Sequence, residues 1–250
     1  MKLSVIIPSF NEMDNLKRGV LEKVESFLSS QKYDFEILIV DDGSTDGSIK
    51  LIEGLTKNSK NVRLIKNSHG GKAIAVMTGL LDSKGDIGLF TDMDQATPVS
   101  EVEKILPFFE EDFDIVIGSR QGRKGAPVIR KLMAFGFSLI RTIILGLPFK
   151  DTQCGFKAFN RKSIETLFPV LRDRWKKHLR EKGAAVNAAF DVETLYLAQK
   201  KGFKIKEVPV QWHHVGTERV QVLKDSAEAV IDILKIRLND IFDRYRNDSL

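Results

Sequence analysis

Two carboxylates one residue apart, Asp92-Met93-Asp94, lie just past the short apolar run Ile87 to Phe90, after Thr91. If the strand has ended in a turn there, both can face one hard cation. Oxygen donors of this kind suit Mg²⁺ or Mn²⁺, which usually keep waters and take one or two carboxylates together with substrate phosphates. Such an ion answers the negative charge that gathers on a departing diphosphate. The bland alternative is a solvated loop or a helix cap ahead of Pro98.

A second acidic pair lies in Asp41-Asp42-Gly43-Ser44. Glycine permits a tight turn, and the acids can accept hydrogen bonds from a ribose or a base. A plain helix cap by Ser44 or Asp46 is the competing reading. Gly70-Gly71-Lys72-Ala73 resembles a phosphate-cradling loop but lacks the full Walker A pattern, which argues against an ATPase. Lys72 is nonetheless a candidate for meeting phosphates, beside the alternative of a solvated lysine at a helix start.

The elements that must carry these residues alternate. Leu3 to Ile7, Glu36 to Val40, Val62 to Ile65, Ile87 to Phe90 and Ile115 to Ile117 read as short buried strands. Met13 to Ser30, Asp46 to Lys57, Lys72 to Ser83 and Val99 to Glu111 carry helical periodicity. Such alternation predicts an α/β fold with a mostly parallel sheet flanked by helices, whose ligands bind beyond the carboxyl ends of the strands. Polar clusters follow four of the strands, which points to one shared crevice.

The bulk numbers exclude more than they assert. The 250 residues suit one compact domain with a C-terminal appendage; we divide them into a catalytic domain, 1–220, and a helix, 221–250. A net charge of +5 fits phosphate-bearing partners, and no nucleic-acid-binding motif accompanies it, so nucleic acid is not an expected partner. The single cysteine, Cys154, makes no intrachain disulfide and suggests a reducing compartment. Residues 1–8 read as a strand rather than a signal peptide, and no long uncharged apolar window predicts a transmembrane helix. A dinucleotide dehydrogenase is disfavoured because no G-x-G-x-x-G follows the first strand.

Ser4 to Glu12, then Val40 to Asp46, then Asp92-Met93-Asp94 resemble, in order and spacing, the family 2 inverting glycosyltransferases with the GT-A (Rossmann-like) fold. The resemblance implies that Pro8, Phe10, Glu12 and Asp42 hold the nucleoside, while Asp92 and Asp94 hold metal and diphosphate. Asp41, Lys72 and Met93 complete the donor-side candidates, and Gln95 joins Asp92 and Asp94 as a candidate metal ligand. Further on, Asp151 to Lys157, Phe190 to Leu195 and Glu207 to Val210 are similar to dolichyl-phosphate glucosyltransferases and mannose synthases. The chain departs from many members in showing no anchoring transmembrane segment, and from the mannose synthases in placing Gln95 directly after Asp94.

That resemblance implies transfer of a hexose, with UDP-glucose the expected donor, to a polyprenyl phosphate at the cytoplasmic face of a membrane. A phosphate acceptor is already ionised, so alignment, metal and cations matter more than a strong base. Arg120 and Arg130 are the candidates for the phosphates, since guanidinium offers paired donors; surface arginines are the alternative. Asp191 sits where relatives with hydroxyl acceptors place a base, and His213 and His214 are candidates for the acceptor side. The runner-up readings are a family 2 enzyme acting on a saccharide or other hydroxyl acceptor, and a nucleotide-sugar-binding module without turnover. A nucleotidyltransferase is disfavoured by the motif order.

Membrane contact has two candidate carriers. Leu132 to Phe149 is expected as a helix in the lipid interface, basic residues towards the headgroups, against a core helix pair as alternative. The C-terminal stretch places Leu223, Ala227, Val230, Ile231, Leu234, Leu238, Ile241, Phe242 and Tyr245 on one stripe of an amphipathic helix of about six turns. Packing on the domain, docking on lipid, recruitment by a separate membrane protein and pairing in a homo-oligomer are all open to it.

Overall fold

A computed structural model describes residues 1–57, 59–120, 128–182, 189–213 and 222–245; for 128–135, 178–182 and 222–228 it describes the backbone alone. Among the described residues, β1 (Lys2–Ser9), β2 (Asp34–Asp41), β3 (Val62–Lys66), β4 (Ile87–Thr91), β5 (Ile115–Arg120), β6 (Phe156–Asn160) and β7 (Ile205–Val210) form one sheet, in the order β3-β2-β1-β4-β6-β5-β7. Every pairing is parallel except those of β6, which runs antiparallel to β4 and β5. All five expected strands are present.

This topology positions the site. Because β1, β2, β4 and β5 share one direction, their carboxyl ends open on the same edge. Ser9 pairs with Asp41 and Asp41 with Lys66, so the first loops leave the sheet level with one another. Reversal of β6 brings its leading segment, residues 151–155, to that edge as well. In the sequence this stretch reads as a motif without a strand signal, since Phe156-Lys157-Ala158-Phe159-Asn160 is short and carries a lysine at its second position.

The strands alternate between two cores, as a pleated sheet requires. Ile6 faces one apolar cluster, while Leu3, Val5 and Ile7 face the other. The first cluster lies under α4 (Lys72–Asp82), α7 (Arg161–Lys182), α8 (Ala189–Lys200) and α9 (Val222–Ile241). The second lies under α2 (Val20–Ser29), α3 (Ser48–Thr56) and the segment 99–106.

Two expected helices are corrected. Met13 to Ser30 is broken into α1 (Met13–Lys17) and α2, because Gly19 takes φ 70° and turns the chain in the left-handed region that glycine tolerates. Val99 to Glu111 becomes a 3-10 helix, Val99–Lys104, followed by the single turn α5 (Pro107–Glu110), since Pro107 has no N–H to continue the ladder.

The helix expected over Leu132 to Phe149 is α6 (Val128–Leu145), which packs against α9. Its Arg141 corrects one expectation: at 1% exposed it turns inward and not towards solvent or headgroups. There it donates to Thr152 Oγ1 at 3.0 Å, to Ser138 Oγ at 2.9 Å and to the carbonyl of Phe149.

In α9 most of the described part of the expected apolar stripe is turned to solvent, with Tyr245 buried. Ile233 and Ile236 are buried against the domain, whereas Ile231, Leu234, Leu238, Ile241 and Phe242 are exposed. Polar anchors add to that packing: Tyr196 Oη donates to Asp240 at 2.7 Å, and buried Glu193 accepts from Trp175 Nε1 at 2.7 Å and Tyr245 Oη at 2.8 Å. Replacing Tyr245 by Phe strips Glu193 of one donor in a buried setting, so we expect unfolding in urea to show a loss of about 1–2 kcal/mol.

Candidate functional site

The first two strands end in turns closed by their own acids. Asp41 is fully buried; its carboxylate accepts from Gly43 N and Ser44 N at 2.9 Å and from Ser44 Oγ at 2.5 Å. It therefore shapes the turn and is not turned to a ligand, which corrects its place among the donor contacts. Asp42 reaches across to the loop before α4, accepting from Gly70 N at 2.8 Å, Gly71 N at 2.7 Å and meeting His69 Nδ1 at 2.9 Å. That grip sets the start of α4, whose first residue is Lys72.

Above Asp42 lies an aromatic step. Phe10, 39% exposed, stacks on His69 with ring centroids 4.5 Å apart. His69 was not foreseen; a lone histidine before Gly-Gly gives no periodic signal. Pro8 closes β1 beside Val40, and Glu12 begins α1, its carboxylate accepting from Asn15.

Lys72 meets the acidic pair. Its ammonium stands 2.5 Å from Asp92 Oδ1, within the field of Asp94 and Asp191. Burial opposes this charge, but the three carboxylates outweigh it and hold the ammonium above the usual lysine range. Asp94 accepts from Ala96 N at 2.9 Å. Burial, then the adjacent Asp92 charge, push its carboxyl above the usual carboxylate range.

Gly155, at the head of β6, lies against Asp92: a methyl group there would stand 2.1 Å from Asp92 Oδ2. Two neighbouring carboxylates, one already drawing an ammonium and the other resisting ionisation, are a donor set that a divalent ion satisfies. Among the described residues no group of three or more acidic, histidine or cysteine side chains is placed to hold a metal ion by itself. Phosphate oxygens and water would therefore complete the shell, as Mg²⁺ and Mn²⁺ favour.

Two other expectations for this loop are corrected. Gln95 takes φ 52° and turns back: its Nε2 donates to Asp92 O at 2.8 Å and its Oε1 accepts from Val99 N at 2.9 Å. Its amide oxygen caps the 3-10 helix, so it is not placed as a metal ligand. Met93 is 2% exposed and belongs to the second core, which leaves only its backbone facing the site.

On the opposite wall, fully buried Lys157 donates to Asp191 Oδ1 at 2.6 Å and to the carbonyl of Cys154. Its ammonium lies 5.2 Å from the centroid of the Phe90 ring, and Lys72 lies 6.0 Å from the same ring. Both lysines thus approach one aromatic ring, each holding a different aspartate.

Arg120 forms a paired bond to Asp151, Nε to Oδ2 at 2.6 Å and Nη2 to Oδ1 at 2.8 Å, with its guanidinium 5.8 Å from the Trp212 ring. Burial pushes the Asp151 carboxyl up, but the Arg120 bonds and charge prevail and hold it below the usual range. Burial raises the Cys154 thiol to about 11, which marks it as a packing residue.

The structure thus brings together Asp92, Asp94, Lys72, Asp191 and Arg120. Arg130 belongs to α6, but its side chain lies outside the described residues, as does His214. Exposed His213 donates its backbone N–H to Ala96 O at 2.8 Å, tying the exit of β7 to the loop after Asp94. Lys157, Asp151 and Gly155 lie in a motif whose individual roles the sequence does not disclose, because their partners are remote in sequence.

Comparison with known proteins agrees with this geometry. A sequence profile for Glycosyl transferase family 2 matches residues 4–168. A dolichyl-phosphate beta-glucosyltransferase of Dictyostelium discoideum is 35% identical, over 94% of this chain and 73% of its own length. One from Saccharomyces cerevisiae is 34% identical, over 99% and 77%. Among solved structures, mannosyl-3-phosphoglycerate synthase from Rubrobacter xylanophilus superposes with a TM-score of 0.63 at 17% identity, over 100% of this chain and 78% of that one. Mannosyltransferase PcManGT from Pyrobaculum calidifontis, in complex with GDP-Man and Mn²⁺, gives 0.56 at 20% identity, over 87% and 57%.

Two outcomes follow. Gly155→Ala forces the Asp92 carboxylate aside, so Mn²⁺ affinity, read by titration of the free-ion electron paramagnetic resonance signal, should fall about tenfold with the thermal midpoint little changed. For Asp151, a folded pKa depressed below the 3.8 of the free side chain makes its bond to Arg120 stabilising above that pH and lost as pH falls through the depressed value. Wild type should therefore exceed Asp151→Asn in stability at neutral pH, and the two unfolding midpoints should converge as pH falls through that depressed value.

Proposed function

The chain belongs to glycosyl transferase family 2, and from that premise we propose that it moves glucose from UDP-glucose onto a polyprenyl phosphate, with inversion, at the cytoplasmic face of a membrane. The observation that carries this reading is the similarity, along 94% and 99% of the chain, to two dolichyl-phosphate beta-glucosyltransferases. The site supports it residue by residue.

The exposed Phe10–His69 stack offers an aromatic face to a nucleotide base. Asp42 holds the loop that delivers Lys72. Asp92 and Asp94 are the residues that would hold Mg²⁺ or Mn²⁺; a distant fold neighbour was solved with Mn²⁺. Bound there, the ion supplies charge stabilisation to the departing diphosphate. Lys72, already against Asp92, adds a second cation on the same side.

On the acceptor side, an oxygen of the lipid phosphate forms the bond to the anomeric carbon as the bond to the nucleoside diphosphate breaks. No proton has to leave that oxygen. Asp191 fits this: one of its oxygens is bonded to buried Lys157, which suits a fixed electrostatic wall better than a proton acceptor. Arg120 keeps donors beyond the two that Asp151 takes and is the cation we assign to the incoming phosphate. Its neighbour Asp151 tempers that charge, so product phosphate is released rather than trapped. Arg130 is a second candidate.

The test is a panel of radiolabelled UDP- and GDP-sugars with Mg²⁺ or Mn²⁺ and short polyprenyl phosphates. Label should enter the organic phase with UDP-glucose, and Asp92→Asn with Asp94→Asn should abolish it, a loss of at least about a thousandfold. Asp191→Asn should lower kcat by about ten- to a hundredfold with donor affinity retained. Complete loss in Asp191→Asn, with transfer to sugar hydroxyls by the wild type, would favour the saccharide-acceptor reading instead.

A further inference from the structure

Arg120 is restrained from two parts of the chain. Asp151 takes its Nε and Nη2 in a paired bond, at 2.6 and 2.8 Å, which sets the direction of the fork. The ring of Trp212 then meets the guanidinium, 5.8 Å from its centroid. Among the described residues only Nε and Nη2 of this side chain are hydrogen-bonded, and it keeps 20% exposure, so donor capacity remains for an anion.

The ring is itself held in place. Val210 is the register partner of Arg120, and Trp212 lies two residues further on. Both residues flanking Trp212 are pinned through their backbone. Gln211 N donates to buried Glu101 at 2.9 Å, and His213 N donates to Ala96 O at 2.8 Å. Ala96 N in turn closes the turn of Asp94. The span 211–213 thus straps the end of β7 to the loop that follows Asp94, with Trp212 at its middle. Further back on β7, Glu207 accepts from Lys150 N at 2.9 Å and Asp151 N at 2.7 Å. One strand and its exit therefore place both the ring and the carboxylate that hold Arg120.

Packing alone does not account for this indole. Trp212 belongs to neither apolar core and is only partly buried. What it offers Arg120 differs from what Asp151 offers. A second carboxylate would occupy further N–H groups and cancel the positive charge. A π face attracts the guanidinium while leaving its donors and its charge available. A cation already oriented also loses less freedom when its ligand arrives.

We propose that Trp212 is the positioning residue of the acceptor side: it steadies the Arg120 guanidinium without occupying a donor, so that the remaining N–H groups meet the phosphate of the incoming lipid. The proposal rests on the polyprenyl-phosphate reading for the identity of that anion.

Binding of a short, water-soluble polyprenyl phosphate is measured on the full chain by equilibrium dialysis, with UDP and Mg²⁺ present. Trp212→Leu keeps apolar bulk without a π face, and its dissociation constant for the phosphate should rise about tenfold. Trp212→Phe, which restores a ring, should stay within about threefold of wild type. Affinity for UDP should change by less than about twofold in both variants. A spectroscopic arm uses the chain's two tryptophans, of which Trp175 is bonded to buried Glu193. Wild-type emission should change on adding the phosphate, and that of Trp212→Phe, which reports Trp175 alone, should not.

Equal phosphate affinity in Trp212→Leu and wild type overturns the proposal. So does a parallel loss of UDP and phosphate binding, which would make Trp212 a packing residue. If Trp212→Leu fails to fold by circular dichroism, emission decides: no response in wild type, or the same response in Trp212→Phe, overturns it. If phosphate binds with the expected signatures but sugar passes only to hydroxyl acceptors, the acceptor reading falls and the role of Trp212 in holding the anion-binding cation stands. If wild type binds no lipid phosphate at all, both fall.

Discussion

Concentrated negative charge at one edge of the sheet is the constraint on which the site depends. Asp92, Asp94 and Asp191 all act on the Lys72 ammonium, and Asp92 also acts on Asp94, in a crevice that is only partly solvated. Carboxylates so placed repel, and the chain answers with two lysines from separate walls, Lys72 on Asp92 and Lys157 on Asp191. The two ammonium groups approach the same Phe90 ring, whose π face tolerates cations where an aliphatic side chain would not. Asp94 forms no ion pair of its own among the described residues, and burial with the adjacent Asp92 charge makes it resist ionisation.

Topology makes that concentration possible. Parallel strands bring loops to one edge from widely separated parts of the chain, and the reversed β6 adds the segment 151–155 from the opposite direction. On the donor side Asp41 closes its own turn, whereas Asp42 grips a loop 28 positions away. Acceptor-side features are distant pairings, with Arg120 meeting Asp151 across 31 positions and Lys157 meeting Asp191 across 34. A buried ion pair is costly to break and gives geometry in return, since removing either partner leaves a charge in low dielectric. That accounts for a guanidinium held in a fixed orientation at the edge of the crevice.

Several residues had types that suited a role their orientation denies. Gln95 has an amide oxygen fit for a metal, but a left-handed backbone turns it to the start of the next helix. Met93 lies between two candidate ligands, yet alternation along the chain sends it into the core. Arg141 read as a basic residue on an interfacial helix, and its length instead lets it span to Thr152. In α9 the longest apolar stripe faces outward and the narrower Ile233–Ile236 side faces in, because the domain offers polar partners such as Glu193 and Tyr196 beside that contact.

By itself the sequence determined the strands, the order of the polar loops and therefore the edge at which chemistry occurs. These follow from local periodicity and from the rule that ligands bind at the carboxyl ends of a parallel sheet. It also made the acidic pair, Asp92 and Asp94, a candidate through its order with the two earlier motifs, since the spacing by itself is common. Tertiary structure decided which side chains face the crevice and what neutralises them. Lys157, Asp151, His69 and Gly155 owe their roles to partners dozens of residues away, and proximity across a fold is not written in any local pattern. Whether an apolar helix face is buried or left bare was decided there too, since it depends on the shape of the surface the helix meets.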